Sequence, residues 1–145
     1  MVYIISVIII LLDQWIKFLI DNSFQYGQSY PIIQNKFHLT YVRNSGAAFG
    51  IFKEYTYLFI IFSIFIIIFL LYLLYRSPKN IIFEIGMGMI LGGAIGNLID
   101  RIRLGFVIDY IDIHIWPIFN LADIFVTLGI IIFLYFIWKD RSILE

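Results

Sequence analysis

The 145-residue chain contains no cysteine. Disulfides, thiolate metal sites and a cysteine nucleophile are therefore excluded. Its two histidines, His38 and His114, are too few for a histidine-rich metal site. Charge is also scarce. Only 14% of the residues are Asp, Glu, Lys or Arg, where soluble domains carry about a quarter. Ten basic residues balance ten acidic ones, so no strong field favours a nucleic acid or an acidic partner. What remains is apolar: 62% hydrophobic and 19% aromatic, with mean hydropathy +0.96. That balance excludes a soluble globular domain, a disordered chain and a basic nucleic-acid-binding module.

Four apolar runs stand out, at residues 1–20, 55–75, 81–99 and 120–138. Each is long enough to cross a bilayer, which takes ~20 residues. Four such spans use about 80 residues, leaving about 65 for loops in a single domain, 1–145. The first run lacks a basic n-region, carries Asp13-Gln14 and has no small-x-small cleavage site after it. It is predicted to stay as an anchor rather than to be removed. The segments 76–80 and 139–145 are about three times richer in Lys and Arg, per residue, than 21–54 and 100–119. The positive-inside rule then predicts cytoplasmic termini, with 21–54 and 100–119 as outer loops. Within the first outer loop, Tyr30-Pro-Ile-Ile and Phe37-His-Leu-Thr-Tyr-Val flank Gln34-Asn35-Lys36. That pattern predicts a small sheet with a turn between its strands. The expected fold class is membrane all-α, with four transmembrane helices and a small outer β-sheet.

A carboxylate inside a membrane span costs ~2.5–3.5 kcal/mol on insertion scales, so each one is a functional candidate. Asp13 and Lys17 are four apart, on one helix face, and can pair. Lys17 either snorkels outward in a neutralising pair or helps to organise a site. Glu84 lies near a span end and reaches the interface. Gly88, Gly92 and Gly96 leave one face of the third span nearly bare, which permits close helix approach. Asn97 and Arg101 share a face at its end, where Asp100 and Arg101 can brace the outer-loop backbone. Asp109 stands in the apolar segment Val107–Asp112, and Asp123 in the first turn of the fourth span. Asn120 is positioned to cap that span, with Asp123 at the third helical position.

A short loop can fold back and bring Asp109 and Asp123 together. Two facing carboxylates in a low-dielectric cleft cannot both ionise easily, so one holds a proton while the other acts as a base. Such a pair can deprotonate water and protonate a leaving amine. Ser45 is the only serine in a motif-like setting, and the apolar Asp pair fits peptide hydrolysis better. His38 and His114 could join Asp109 and Asp112 around an ion, but no His-x-x-His or His-Glu-x-x-His spacing exists. No metal and no other cofactor is expected.

At these residues the chain resembles the bacterial lipoprotein signal peptidase (signal peptidase II) family. Leu12-Asp13-Gln14-Trp-Ile-Lys17, Arg43-Asn44-Ser-Gly46-Ala-Ala-Phe49-Gly50 and Gly92-Gly-Ala-Ile-Gly96-Asn97-Leu-Ile-Asp100-Arg101 are similar to its first three motifs. Val107-Ile-Asp109-Tyr-Ile-Asp112 and Phe119-Asn120-Leu-Ala-Asp123 are similar to its last two. Tyr110 stands where phenylalanine is frequent. The resemblance covers nearly the whole chain. It implies four transmembrane helices, an outer β-cradle and a surface helix or loop over the site. It implies an aspartic endopeptidase, inhibited by globomycin, that cleaves prolipoproteins before a diacylglyceryl-modified cysteine. The catalytic pair it implies is Asp109 and Asp123. The positions that order the site or hold substrate are Asp13, Lys17, Asn44, Gly46, Asn97, Asp100, Arg101 and Asn120. Phe49 and the first-loop strands are expected to shape the groove. The implied setting is the bacterial inner membrane, as a monomer among membrane lipid, with no nucleic acid.

Two other classes fit parts of the pattern. A small transporter or proton-conducting protein would use Asp13, Lys17 and Asp123 as a relay. Against it, the second span has no Asp, Glu, Lys, Arg or His from 55 to 75. A structural assembly subunit would use the glycine face and tolerate loss of both Asp109 and Asp123.

Overall fold

In the computed structural model, residues 1–46, 56–76 and 80–139 are described. The expected Phe49 wall lies outside them, as do Ala47, Ala48 and Gly50 of the second motif and the basic residues Lys79 and Arg141.

The four apolar runs are helices: α1 (Val2–Ser23), α2 (Thr56–Arg76), α3 (Ile81–Leu104) and α4 (Leu121–Lys139). All four are long and apolar enough to cross a membrane. Asn80 starts α3 by accepting hydrogen bonds from the backbone N–H groups of Ile82 and Phe83, at 2.9 and 3.3 Å. Gly105 ends it in the left-handed conformation, φ 78°, which only glycine adopts without strain. The helix thus outruns its apolar stretch. Asp100 and Arg101, expected at the end of this helix, are helical, and α3 runs on to Leu104. Hydropathy marks where lipid is favourable, whereas the backbone cap marks where the helix stops.

Burial separates the helices. In α3 56% of the most apolar window is buried, against 6% in α2. So α3 is the central post, packed on α1, α2 and α4, and α2 turns most of its surface outward to lipid. The glycine spacing explains the close packing. Cβ atoms added at Gly88 and Gly92 would meet Ile5, Ser6 and Ile9 of α1 at about 3 Å. A second glycine seam joins α3 to α4: Gly86 lies against the backbone of Gly129. Gly96 has a different neighbour. A Cβ there would fall 2.6 Å from Asp13 Oδ2. Gly96→Ala is therefore expected to lower the thermal midpoint in detergent, despite the ~1 kcal/mol of helix propensity that alanine brings. An unchanged midpoint would show that Asp13 can move aside.

Three strands form an antiparallel sheet in the order β1 (Ser29–Ile33), β2 (Phe37–Asn44), β3 (Val107–Asp112). The expected turn at Gln34-Asn35-Lys36 is present, with Asn35 at φ 58°. The third strand is an addition: the segment around Asp109 carries no turn-flanked pattern of its own, and only β2 makes it a strand. Its register sets Val42 opposite Asp109 and Asn44 opposite Val107. Tyr41, 1% exposed, anchors the sheet on the end of α1 with Ile20, Ile108 and Tyr110. Among the described residues, the segment between β3 and α4 is a loop, closed where Ile111 pairs with Phe119.

Candidate active site

Asn120 organises the start of α4. Its Oδ1 accepts from the Asp123 N–H at 3.0 Å, and Asp123 Oδ2 accepts from the Asn120 N–H at 3.2 Å. This is the expected cap, in reciprocal form. It holds the Asp123 carboxylate at the positive end of the helix.

The Asn120 side chain also reaches β3, where its Nδ2 donates to Asp109 Oδ1 at 2.7 Å. One residue thus touches both candidate carboxylates: its side-chain amide reaches Asp109 and its backbone N–H reaches Asp123. Asn44 Nδ2 donates to the other Asp109 oxygen at 2.9 Å. Asn44 is itself oriented by the Gly46 N–H, 3.1 Å from its Oδ1. Asn97 Nδ2, from α3, donates to Asp123 Oδ1 at 2.8 Å. Asp109 is 2% exposed and Asn120 fully buried. Burial, reinforced by the nearby Asp123 charge, pushes the Asp109 carboxyl up to about 7, against the opposing hydrogen bonds from Asn44 and Asn120.

Beneath this layer lies a buried charge cluster. Lys17 spends its three N–H bonds on Asp13 Oδ2 (2.8 Å), Asp100 Oδ2 (3.0 Å) and Asn97 Oδ1 (2.9 Å). It is 2% exposed, so it does not snorkel; it points into the bundle. Asp13 Oδ1 accepts from the Ala122 N–H at 3.1 Å, tying α1 to the first turn of α4. Asp100 Oδ2 accepts from the Ile108 N–H at 3.1 Å, tying α3 to β3. Asp100 is thus the brace that the sequence pointed to. Arg101 makes no hydrogen bond to loop backbone among the described residues, and its guanidinium sits 5.6 Å from the Phe59 ring of α2. The helix extends through both residues, so adjacent side chains point to different faces.

Gln14 is a member that sequence reasoning left out of the site. It donates to Asp100 Oδ1 at 2.8 Å and to the Gly96 carbonyl at 3.1 Å. An amide beside Asp13 in an apolar run was the available signal. An apolar groove of about 330 Å³ opens beside Asp123, between Ile113, Trp116 and Phe119 of the loop and Ile124, Thr127 and Leu128 of α4. Among the described residues no group of three or more His, Asp or Glu side chains is arranged to hold a metal ion.

Four apolar helices, three of which (α1, α3 and α4) hold a buried carboxylate cluster capped by a small sheet, define a multi-pass membrane protein. The family model of signal peptidase (SPase) II matches residues 5–139. The lipoprotein signal peptidase of Halothermothrix orenii is 47% identical over 99% of both chains. That of Caldanaerobacter subterraneus is 44% identical over 93% of this chain and 94% of its own. A bacterial membrane enzyme solved by the in meso method matches with a TM-score of 0.90 at 34% identity, covering 99% of this chain and 91% of that one. The chain belongs to the signal peptidase II family.

Proposed function

We propose that Asp109 and Asp123 are the catalytic pair of a lipoprotein signal peptidase that acts at one membrane surface. The observation that carries this is Asn120, whose side-chain amide holds the Asp109 carboxylate and whose backbone N–H holds the Asp123 carboxylate, while burial pushes the Asp109 carboxyl up to about 7. Family membership supports an aspartic endopeptidase that removes signal peptides from lipoprotein precursors. It gives no support to the proton-conducting alternative.

In this mechanism Asp109 holds the proton of the pair near neutral pH and polarises the scissile carbonyl. Asp123 takes a proton from the attacking water. The departing amine collects a proton from the pair, which returns to its starting state. The signal peptide reaches the groove beside Asp123 laterally from the bilayer, and the diacylglyceryl chains on its cysteine stay in lipid. The 145 residues work as one monomeric peptidase domain in the bacterial inner membrane. The higher density of Lys and Arg in 76–80 and 139–145 supports cytoplasmic termini, with the sheet and the site outside. Because the chain has no cysteine, Gln34→Cys reports orientation directly. It is expected to react with a membrane-impermeant thiol reagent added outside intact cells; protection there places the sheet inside.

The test of function is cleavage of a purified diacylglyceryl-modified prolipoprotein, with and without globomycin. Cleavage that globomycin blocks is expected, and no cleavage at any enzyme concentration sinks the assignment. The pH profile adds a finer check. Loss of the Asp109 proton gives a descending limb near pH 7. Asn44 donates to the charged form of Asp109 and so favours ionisation. Asn44→Ala removes that bond, of ~1.5 kcal/mol for a charged acceptor. The descending limb is then expected to move to higher pH by roughly one unit. A shift toward lower pH would contradict the assignment of that limb to Asp109.

A further inference from the structure

A closed ring of side chains stands apart from the carboxylate pair and spans all three strands. Asp112 Oδ2 accepts from the Thr40 hydroxyl at 2.9 Å. The Thr40 and Ser29 hydroxyls are 2.8 Å apart, and Ser29 Oγ is 3.2 Å from His38 Nδ1. The His38 ring meets the His114 ring edge-on, with centroids 4.3 Å apart. His114 closes the ring, because both its Nδ1 (3.1 Å) and its backbone N–H (3.0 Å) reach Asp112 Oδ1.

The strain in this ring falls on the loop. His114 has φ 63°, a left-handed conformation that costs a non-glycine residue ~1–2 kcal/mol. The Asp112 carboxylate and the His38 ring offset that cost. With His114 fixed, the Ile115 N–H bonds the Ile113 carbonyl at 2.8 Å, and the chain turns sharply. Ile113 and Trp116, on either side of this turn, are groove walls beside Asp123. Further along, Phe119 is tied back to Ile111 through two backbone bonds of 2.8 and 3.1 Å. Ahead of that tie only the histidine clamp holds the loop to the sheet among the described residues.

We propose that His114 is a positioning residue for cleavage. Clamped between Asp112 and His38, it holds the Ile113–Trp116 wall at a set distance from α4 and so sets the size of side chain the groove accepts. The inference rests on Asp109 and Asp123 as the catalytic pair, since that reading makes the groove the substrate's path. His114 touches neither carboxylate, so its loss should act on substrate fit and leave the chemical step alone.

The test uses His114→Asn, since asparagine tolerates the left-handed backbone but has no ring to meet His38. His38→Gln is the second variant and leaves the loop sequence intact. Both are assayed on diacylglyceryl-modified prolipoprotein carrying either the native residue or a bulkier one directly before the lipidated cysteine. The expected result is a KM raised fivefold or more with kcat within twofold, and a smaller penalty for the bulkier substrate. In a Trp15→Phe/Trp138→Phe background Trp116 is the only tryptophan, and both variants should increase its quenching by iodide. A merely structural role would lower the thermal midpoint without moving KM, selectivity or quenching, and that result overturns the proposal. Asp123→Asn run alongside separates the two readings. If it cleaves normally, the catalytic pair is wrong; if it is inactive while the histidine variants match the parent, only the positioning role fails.

Discussion

Asp123→Asn and Asp109→Asn are each expected to lower the rate of prolipoprotein cleavage by about 10³-fold or more, the upper part of the range for losing one general acid or base. The protein should still insert and fold. Asparagine matches aspartate in shape, and only part of each hydrogen-bond set is lost. Asp123 accepts from the Asn97 amide and the Asn120 N–H; an asparagine can keep one of these through its carbonyl. Asp109 accepts from the Asn44 and Asn120 amides, and the same holds there. The stability cost is about one hydrogen bond, ~1 kcal/mol, partly offset at Asp109 by removing a buried titratable group. The measurement is a single-turnover gel-shift assay with purified protein, paired with thermal unfolding in detergent. Parent-like cleavage by either variant would falsify the pair.

Lys17→Met is the second large expected effect, and it acts on stability first. Lys17 bonds Asp13, Asp100 and Asn97 at once, at 3.0 Å or less. Without its ammonium, two buried carboxylates face each other with no cation between them. Breaking a buried ion pair by removing one partner costs 3–5 kcal/mol. The thermal midpoint should fall accordingly. Activity should fall as well, because the Asn97 carbonyl keeps only one of its two donors, Asn120 Nδ2 at 3.1 Å, and the Asn97 amide orients Asp123. The triple variant Asp13→Asn/Lys17→Met/Asp100→Asn removes all three charges. It is expected to recover much of the stability, since buried ion clusters are weak net stabilisers against neutral replacements. It should not recover the activity. A Lys17→Met protein as stable as the parent would mean that water or a moved side chain satisfies both carboxylates.

The two expectations differ in how far the sequence alone reached. Asp109 and Asp123 were legible because an ionisable group in an apolar segment carries a cost that local sequence displays. Asp123 could also be placed, since a cap at Asn120 is a local pattern. The strand under Asp109 was not legible. Val107–Asp112 becomes β3 only by pairing with β2, whose residues lie more than 60 positions earlier. The direction of Lys17 was equally hidden. Spacing put it beside Asp13, but inward and outward orientations satisfy that spacing alike, and its burial depends on Asn97 and Asp100 from another helix. The neighbour of Arg101 was hidden too: its shared face with Asn97 is a local pattern, but the Phe59 ring 5.6 Å from its guanidinium comes from another helix.

What the sequence determined by itself is what each residue decides against its solvent. Long apolar runs specify four crossings, glycines at four-residue spacing specify a face for close packing, and costly carboxylates mark the candidate site. Those preferences are local, so a linear chain displays them. The tertiary structure decided which groups meet. Asn120 joins two carboxylates from different elements, Asp13 holds an N–H 109 positions away, and His114 clamps a loop against a strand. Each contact depends on chain segments that become neighbours only when the bundle closes, and a buried polar group is stable only when all its partners arrive together.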